Sequence, residues 1–226
     1  MPEMQGSPGG SGRRRGRPAA SAGTATRQRI LDAAQRSFGQ LGYRGLAVEQ
    51  LARDLGLDAR AIYHYFPSKA ALFQAASQAA FEIYGSEVAA RVLVHDDLRS
   101  RLHAFVALYR SLFVEHRHLL SFISVVVVES VATEQRGDGG DGGGDRPAHV
   151  ADLATHGAPV VAMNTLLVDQ AIDRGELVGE VGAEAAVALL QMVGMGLGLA
   201  SLGNDPPFLP MLDALDRLID GTLLSG

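Results

Sequence analysis

One short segment of the chain carries side chains that can bind phosphate. Tyr63 and His64 place a hydroxyl and an imidazole in one helical turn, and Lys69 falls in the first turn of a helix that Ser68 can cap. A cation at that end of a helix is unfavourable by roughly 0.3–1 kcal/mol unless an anion lies nearby, and the free N–H groups there also attract phosphate. The spacing predicts that Tyr63, His64 and Lys69 contact phosphates of duplex DNA. The alternative is that the aromatic rings fill a small core and that Lys69 is solvated.

Two short helices must position these side chains. Apolar residues recur at the i, i+3, i+4 and i+7 positions of a first helix: Val48, Leu51, Ala52 and Leu55. Gly56 follows where a left-handed residue can end that helix. Asp58 can accept the free backbone N–H groups of a second helix over residues 59–65. Two helices with a tight turn between them indicate a helix-turn-helix, whose second helix enters the major groove of DNA.

The segment from Thr24 to Phe73 resembles the DNA-binding domain of the tetracycline-repressor (TetR) family of bacterial transcription regulators. The matching positions are Ile30, Leu31, Ala33, Ala34, Phe38, Gly42, Tyr43, Leu51, Ala52, Gly56, Tyr63, Phe66, Lys69 and Leu72. The resemblance implies that three residues contact phosphate, namely Tyr63, His64 and Lys69. It implies that three others meet base edges, namely Ala59, Arg60 and Ala61.

The chain departs from the family pattern at two places. Leu46 and Ala47 stand where the family usually has Thr or Ser, so one helix cap and one phosphate contact are in doubt. Arg60 is the only long donor early in the second helix. It can bind guanine O6 and N7 with two hydrogen bonds, or it can lie along the DNA backbone.

The distribution of charge separates the two ends of the chain. Residues 1–74 hold 11 Lys and Arg against 5 Asp and Glu, whereas the remainder holds 9 against 20. A basic end is typical of a nucleic-acid-binding module joined to another domain. The chain has no cysteine, which excludes disulfides, thiolate catalysis and cysteine-bound zinc. Because MPEMQGSPGGSG lacks an apolar core, we expect no secretory signal and a cytoplasmic location.

The chain divides into three predicted regions. Residues 1–23 are expected to be a disordered basic arm, 24–70 the helix-turn-helix domain, and 71–226 a helical domain for ligand binding and dimerisation, with a flexible loop at 137–145. The arm contains four arginines that could enter the minor groove: Arg13, Arg14, Arg15 and Arg17. The sequence RGRP resembles the core of an AT-hook, whose arginines are drawn to a narrow groove. The alternative is a generic electrostatic or solubilising tail.

Helical periodicity continues through the rest of the chain. It predicts helices near residues 68–94, 97–114, 119–133, 158–174, 183–201 and 207–224. The fold class is therefore all-α, with an N-terminal three-helix helix-turn-helix domain and a larger helical domain.

An uncharged stretch over residues 185–202 has two possible interpretations. Its 18 residues just reach the length of a membrane-spanning helix, and it contains the small-residue pattern Gly194-x-x-x-Gly198. The resemblance instead implies that the last two helices form a four-helix bundle between two subunits of a homodimer, and we favour this over a membrane location. The predicted interface residues are Gly194, Leu197, Gly198, Leu212 and Leu215.

The sequence contains no catalytic set and indicates no metal site or cofactor. His116 and His118 are two residues apart and cannot share one helix face. His103, His149 and His156 are isolated and fit surface or satisfied core positions better than a ligand set. The resemblance implies a cavity for a small apolar or amphipathic ligand in the larger domain. Its candidate lining residues are Phe105, Tyr109, Phe122, Met163, Asn164 and Met192.

Together these features predict a dimeric, ligand-responsive transcriptional regulator that is not an enzyme. We expect a repressor that binds a palindromic operator in double-stranded DNA and is released by its ligand. Two alternatives remain open. One is an architectural DNA-binding protein without an effector, which the arginine arm suggests. The other is an enzyme that carries a DNA tether, for which the sequence offers no nucleophile and base.

Overall fold

The computed structural model of the chain describes residues 19–137, 153–177, 182–201 and 208–221. Within these residues the backbone forms helices and no strand, which confirms the predicted all-α fold. The helices are α1 (Ala19–Gly45), α2 (Val48–Asp54), α3 (Ala59–Tyr65), α4 (Lys69–Arg91), α5 (Leu98–Glu115), α6 (Arg117–Gly137), α7 (Leu153–Asp173), α8 (Ala183–Ala200) and α9 (Phe208–Ile219).

The first three helices form the helix-turn-helix domain around a small apolar core. Ile30, Phe38, Leu51 and Ile62 are buried there, so each helix contributes at least one side chain. Gly56 has a φ of 69°, which confirms the left-handed residue predicted after α2. The domain therefore has the predicted local structure.

The start of α1 differs from the sequence prediction. The described part of this helix begins at Ala19, within the segment assigned to the arm, so residues 19–23 are helical. The four arginines of the arm (Arg13, Arg14, Arg15 and Arg17), residues 138–145 of the predicted loop and His149 lie outside the described residues.

Helix α4 joins the two domains. Its first residues follow α3, and its later turns pack against α5, α6 and α7. Phe73 of α4 contacts the rings of Phe38 in α1 and Phe122 in α6, with centroids 4.9 and 5.6 Å away. A Cβ on Gly39 would lie 3.1 Å from the backbone nitrogen of Phe122, so α1 and α6 approach each other closely. This shared aromatic core couples the helix-turn-helix domain to the larger domain.

The larger domain packs α5 to α9 around a second part of the core. Helix α8 lies against α6 and α7, and its Gly198 faces Ser124, whose Oγ is 2.6 Å from the position of an added Cβ. Helix α9 lies on α5, where Phe208 stacks on Phe113 at 4.3 Å between ring centroids. Polar contacts complete this pair, because Arg110 of α5 lies 2.8 Å from Asp213 of α9.

Candidate DNA-binding surface and ligand cavity

Helix α3 is held by one buried residue and two capping interactions. Ile62 is 1% exposed and anchors the helix in the domain core. At the N-terminus, the carboxylate of Asp58 accepts a hydrogen bond from the backbone N–H of Ala61 at 2.9 Å, which confirms the predicted cap. The N–H of Phe66 donates to the carbonyl of Ile62 at the other end. The helix is therefore fixed while its opposite face is free to meet another surface.

The residues predicted to contact DNA lie together on that outer face. Arg60, Tyr63 and His64 are exposed, and Tyr63 is 40% exposed despite its aromatic ring. Ala59 and Ala61 are partly buried and small enough for a second surface to approach closely. The alternative that Tyr63 fills the core is thus wrong, although Phe66 at 3% exposure does so. The DNA contacts themselves stay a prediction.

The ammonium group of Lys69 has partners inside the protein. Its Nζ donates to the carbonyl of Leu46 at 2.6 Å and lies 3.4 Å from the carbonyl of Arg44, at the end of α1. It also lies 4.8 Å from the ring centroid of Tyr43. Desolvation lowers the pKa of Lys69, and the charge of Glu49 opposes this shift. The sequence predicted that phosphate would be the partner of this ammonium group, but the two carbonyl oxygens already accept hydrogen bonds from it. Lys69 therefore has a structural role beside its predicted phosphate contact.

The start of α2 lacks the cap that the sequence placed in doubt. Ala47 occupies the N-cap with an extended backbone, φ −104° and ψ 123°, and it has no side chain that can accept a hydrogen bond. Leu46 is only 3% exposed and packs in the core. By contrast, Ser68 caps α4, where its Oγ accepts from the N–H of Ala71 at 3.0 Å.

A cavity of about 230 Å³ lies in the larger domain between α5, α7, α8 and α9. Its walls are apolar side chains such as Leu102, Phe105 and Val193. Among the described residues that line it, Arg101 and Asn164 are the two polar ones. An apolar pocket with few polar groups is the usual form of a small-molecule site.

Two of the six predicted cavity residues line this cavity, Phe105 and Asn164. The other four predicted residues do not line it. Phe122 is fully buried in the aromatic core that joins the two domains, and Tyr109 is buried against Tyr84 with 3.5 Å between their hydroxyl oxygens. Met163 is partly buried against the core, and Met192 points outward with 61% exposure. Apolar periodicity alone does not separate a core position from a cavity wall.

Arg101 lines the cavity although its residue type does not suggest a core position. It falls three positions after Leu98 and four before Phe105, on the stripe that the helical period turns inward. The residue is only 7% exposed. A cation at a buried position of an amphipathic helix is the signal that could have identified it.

An apolar surface remains exposed on α8 and α9. We define this α8–α9 surface by its large exposed side chains: Leu189, Met192, Met195, Leu199, Leu209 and Leu218. The predicted interface residues Leu197, Gly198 and Leu212 instead face the core of their own chain, and Leu212 is 0% exposed. The carbonyl of Gly194 accepts a hydrogen bond from Tyr109, and Leu215 lines the cavity. Leu197, Gly198 and Leu212 are therefore corrected, because groups packed inside one chain cannot cover a second, whereas the half-buried Gly194 and Leu215 stay predictions.

Helix α8 is long and apolar enough to cross a membrane by length and composition. Its inner face packs on α6 and α7, as the close contact of Gly198 with Ser124 shows. The same helix therefore has one face in the core and one apolar face without cover among the described residues.

Within the part of the chain that the structure describes, no group of three or more His, Asp or Glu side chains is arranged so that it could hold a metal ion. His103 is instead satisfied by carboxylates, with Asp216 2.9 Å from Nδ1 and Asp220 3.0 Å from Nε2. These hydrogen bonds, that of Asp216 first, raise the pKa of His103. His103 thus fastens α9 to α5.

Known proteins resemble this chain both in the helix-turn-helix motif and in the fold. Residues 30–76 match the family model described as bacterial regulatory proteins, tetR family. The HTH-type transcriptional repressor AcnR of Corynebacterium diphtheriae is 32% identical over 111 residues, which cover 42% of this chain and 58% of that protein. The chain therefore matches little more than half of the length of this relative.

Solved structures match most of the chain. A TetR transcriptional regulator from Chloroflexus aurantiacus has a TM-score of 0.68 at 24% identity, covering 88% of this chain and 96% of that one. AibR, solved in complex with isovaleryl coenzyme A and operator DNA, has a TM-score of 0.60 at 17% identity, covering 85% and 96%. At these identities the likeness shows a shared fold. Residues 30–76 of this chain therefore match the family model of tetR bacterial regulatory proteins, and the chain shares its fold with the two solved structures.

Proposed function

We propose that the protein is a sequence-specific DNA-binding transcriptional repressor that leaves its operator when a small apolar or amphipathic molecule occupies the cavity. The observation that carries this proposal is the outer face of α3, where Arg60, Tyr63 and His64 are exposed together on a capped and anchored helix. Long donors and hydroxyls on the second helix of a helix-turn-helix are suited to base edges and phosphates.

A homodimer would form through the α8–α9 surface. The two last helices expose six large apolar side chains, and exposed apolar surface of this kind is a frequent sign of a protein interface. Burial of Met192 and Leu199 against a second copy would remove this surface from water, and a two-fold axis would present two α3 helices to a palindromic site. A dimer of this kind would lie in the cytoplasm with its operator DNA. The second copy, rather than a membrane, would cover the apolar face of α8.

The ligand would act through α4. Val92, at the C-terminal cap of α4, lines the cavity, while Lys69 at the other end of the helix lies beside the helix-turn-helix. A ligand that prefers one position of α4 changes the separation of the two α3 helices in a dimer. It lowers operator affinity by its difference in affinity for the two positions.

The named relatives support the proposal. AcnR is a transcriptional repressor by name, and AibR was solved in complex with isovaleryl coenzyme A and operator DNA. A shared fold with a protein that binds both partners favours the same pair of sites here.

Selection of bound duplexes from a random library tests the proposed function. We expect enrichment of a palindromic sequence by the purified chain, and a mass by light scattering that corresponds to a dimer. Arg60→Ala should cost about 1–3 kcal/mol on the selected sequence and relax the choice of one base pair per half-site if Arg60 reads guanine. Enrichment of no sequence, with equal affinity for all duplexes, would contradict the proposal and favour an architectural protein.

A further inference from the structure

One cationic side chain, that of Arg101, is among the described residues that line the cavity. Arg101 lies in the second turn of α5, is 7% exposed and forms part of the wall of an otherwise largely apolar space. Its Nε donates to the carbonyl of His95 at 2.7 Å, and its Nη1 donates to Oε1 of Gln170 at 2.7 Å. Both acceptors are neutral. The guanidinium is therefore held in place without being neutralised.

The neighbouring carboxylates are committed elsewhere. Glu176 accepts a hydrogen bond from the backbone N–H of Leu98 at 2.7 Å, and Asp97 accepts one from the N–H of Ser100 at 2.8 Å. Among the described residues no carboxylate lies within 4.0 Å of the guanidinium of Arg101. A buried charge without a counter-ion is costly, and a charge that is kept in a ligand cavity favours a ligand that supplies the missing partner.

We propose that the cavity binds an amphipathic carboxylate, with the acid group paired to Arg101 and the hydrocarbon chain against the apolar walls. This inference rests on the proposed function, because it assigns a chemical class to the ligand of the same cavity. The planar guanidinium matches a carboxylate through two parallel hydrogen bonds. The amide of Asn164 on α7 offers a further donor at the cavity wall. A cationic ligand has no carboxylate to meet among the described lining residues.

The cavity is small and its walls are largely apolar, so a short amphipathic acid such as octanoate is a suitable probe of the proposed ligand class. Leu189 and Leu218 line the cavity and also belong to the α8–α9 surface, so the cavity lies next to the interface of the proposed dimer.

The same arginine links the ligand to the DNA-binding domain. The carbonyl of His95, to which Arg101 donates, belongs to the connection between α4 and α5. A carboxylate that binds the guanidinium therefore lies close to Val92, at the end of α4. The head group of the ligand, rather than its tail, lies nearest to the helix that joins the two domains.

Calorimetric titration with three ligands of one chain length tests the proposal: octanoate, octan-1-ol and octylamine. We expect octanoate to bind at least tenfold more tightly than octan-1-ol, and octylamine to bind most weakly. Arg101→Met should lower octanoate affinity to the level of octan-1-ol while leaving the alcohol unchanged. Arg110→Met removes the same charge from the same helix at its ion pair with Asp213, and should keep the preference for the acid.

A second variant tests the proposal independently, in case Arg101→Met does not fold. Gln170→Glu keeps the shape of the side chain and gives Arg101 an internal carboxylate, so it should lower octanoate affinity at least tenfold without lowering the melting temperature. Gln170→Met introduces no charge and should not lower the affinity for octanoate.

Equal affinities for octanoate and octan-1-ol would overturn the proposal, as would octanoate binding that Gln170→Glu leaves unchanged. A chain that binds its selected duplex but none of the three ligands would overturn the ligand class and leave the proposed repressor intact. Failure to bind any duplex would instead count against the repressor, since the calorimetric result does not depend on DNA.

Discussion

Single residues in this protein serve two purposes that only experiments can separate. Lys69 is the clearest case, because its ammonium group binds the carbonyl of Leu46 and lies at the start of α4, next to the face that α3 presents. An ammonium group has three donors. The contacts with Leu46 and Arg44 leave at least one of them for a phosphate.

Lys69→Ala should separate these two roles. If Lys69 holds a phosphate, duplex affinity should fall for every sequence alike, and the slope of log affinity against log salt should decrease by about 1. The loss of its bonds to the end of α1 should also lower the melting temperature. Binding measured at several salt concentrations, beside a thermal melt, distinguishes the two. A lower melting temperature with an unchanged salt slope would leave Lys69 with the structural role alone.

At the scale of elements, the helix caps decide where the helix-turn-helix begins and ends. Asp58 and Ser68 cap α3 and α4 through side-chain oxygens, whereas Ala47 leaves the N-terminus of α2 without such an acceptor. Free N–H groups of a helix start are then satisfied by water or by a ligand oxygen.

Ala47→Ser should stabilise the protein. The extended backbone of Ala47 is that of a normal N-cap, so a serine hydroxyl can accept the free N–H groups of α2. We expect a gain of roughly 0.5–2 kcal/mol in the free energy of unfolding, measured by denaturant titration. Ala47→Val serves as the control, because valine adds volume without an acceptor. Equal effects of the two substitutions would show that the cap is not the cause.

The attachment of α9 to α5 should depend on pH. Both ring nitrogens of His103 face carboxylate oxygens, of Asp216 and Asp220, and the ring can donate to both only when it is protonated. Its pKa is raised above the usual value, so its contribution to stability is fully present below the unfolded pKa of about 6.5 and is lost as pH rises through the raised value.

Melting temperatures of the native chain and of His103→Gln across that range measure this contribution. The native chain should lose more stability than the variant between about pH 6 and pH 8, because a glutamine does not titrate. Parallel pH profiles would contradict the role of His103. Arg110, which pairs with Asp213 and Asp216, stays charged throughout and should keep α9 attached in both proteins.

At the scale of the whole molecule, α8 and α9 expose six large apolar side chains that a second copy can cover. The α8–α9 surface includes Met192 at 61% exposure, whereas Val114 is an isolated exposed residue at the end of α5. Single exposed apolar residues are normal, but contiguous ones on adjacent helices indicate an interface.

Met192→Glu should therefore give monomers. A charge in an apolar interface loses its water without gaining a partner, so the dimer is destabilised and operator affinity falls with it. Val114→Glu, an equal change at an exposed position outside the surface, should leave the dimer intact. Light scattering measures the molar mass of both variants and so distinguishes a monomer from a dimer. A dimeric Met192→Glu would place the interface elsewhere on the molecule.

The sequence by itself determined the features that depend on neighbours along the chain. The period of apolar residues predicted the helices, and single residues such as Asp58 and Gly56 marked their ends, since caps form within three or four positions. The helix-turn-helix and its outward residues Arg60 and Tyr63 followed from the same local rules. The all-α fold was predicted correctly for this reason.

Only the tertiary structure decided which apolar face turns inward. Helix α8 is apolar nearly all round, so its sequence does not show whether Leu197 or Met192 faces the core. In the structure Gly198 packs on Ser124, which turns Leu197 inward and leaves Met192 exposed. The cavity and its charge depend on residues far apart in sequence, such as Arg101 and Gln170, which are 69 positions apart and joined by one hydrogen bond. Contacts of that kind exist only after helices pack, because no local rule brings their side chains together.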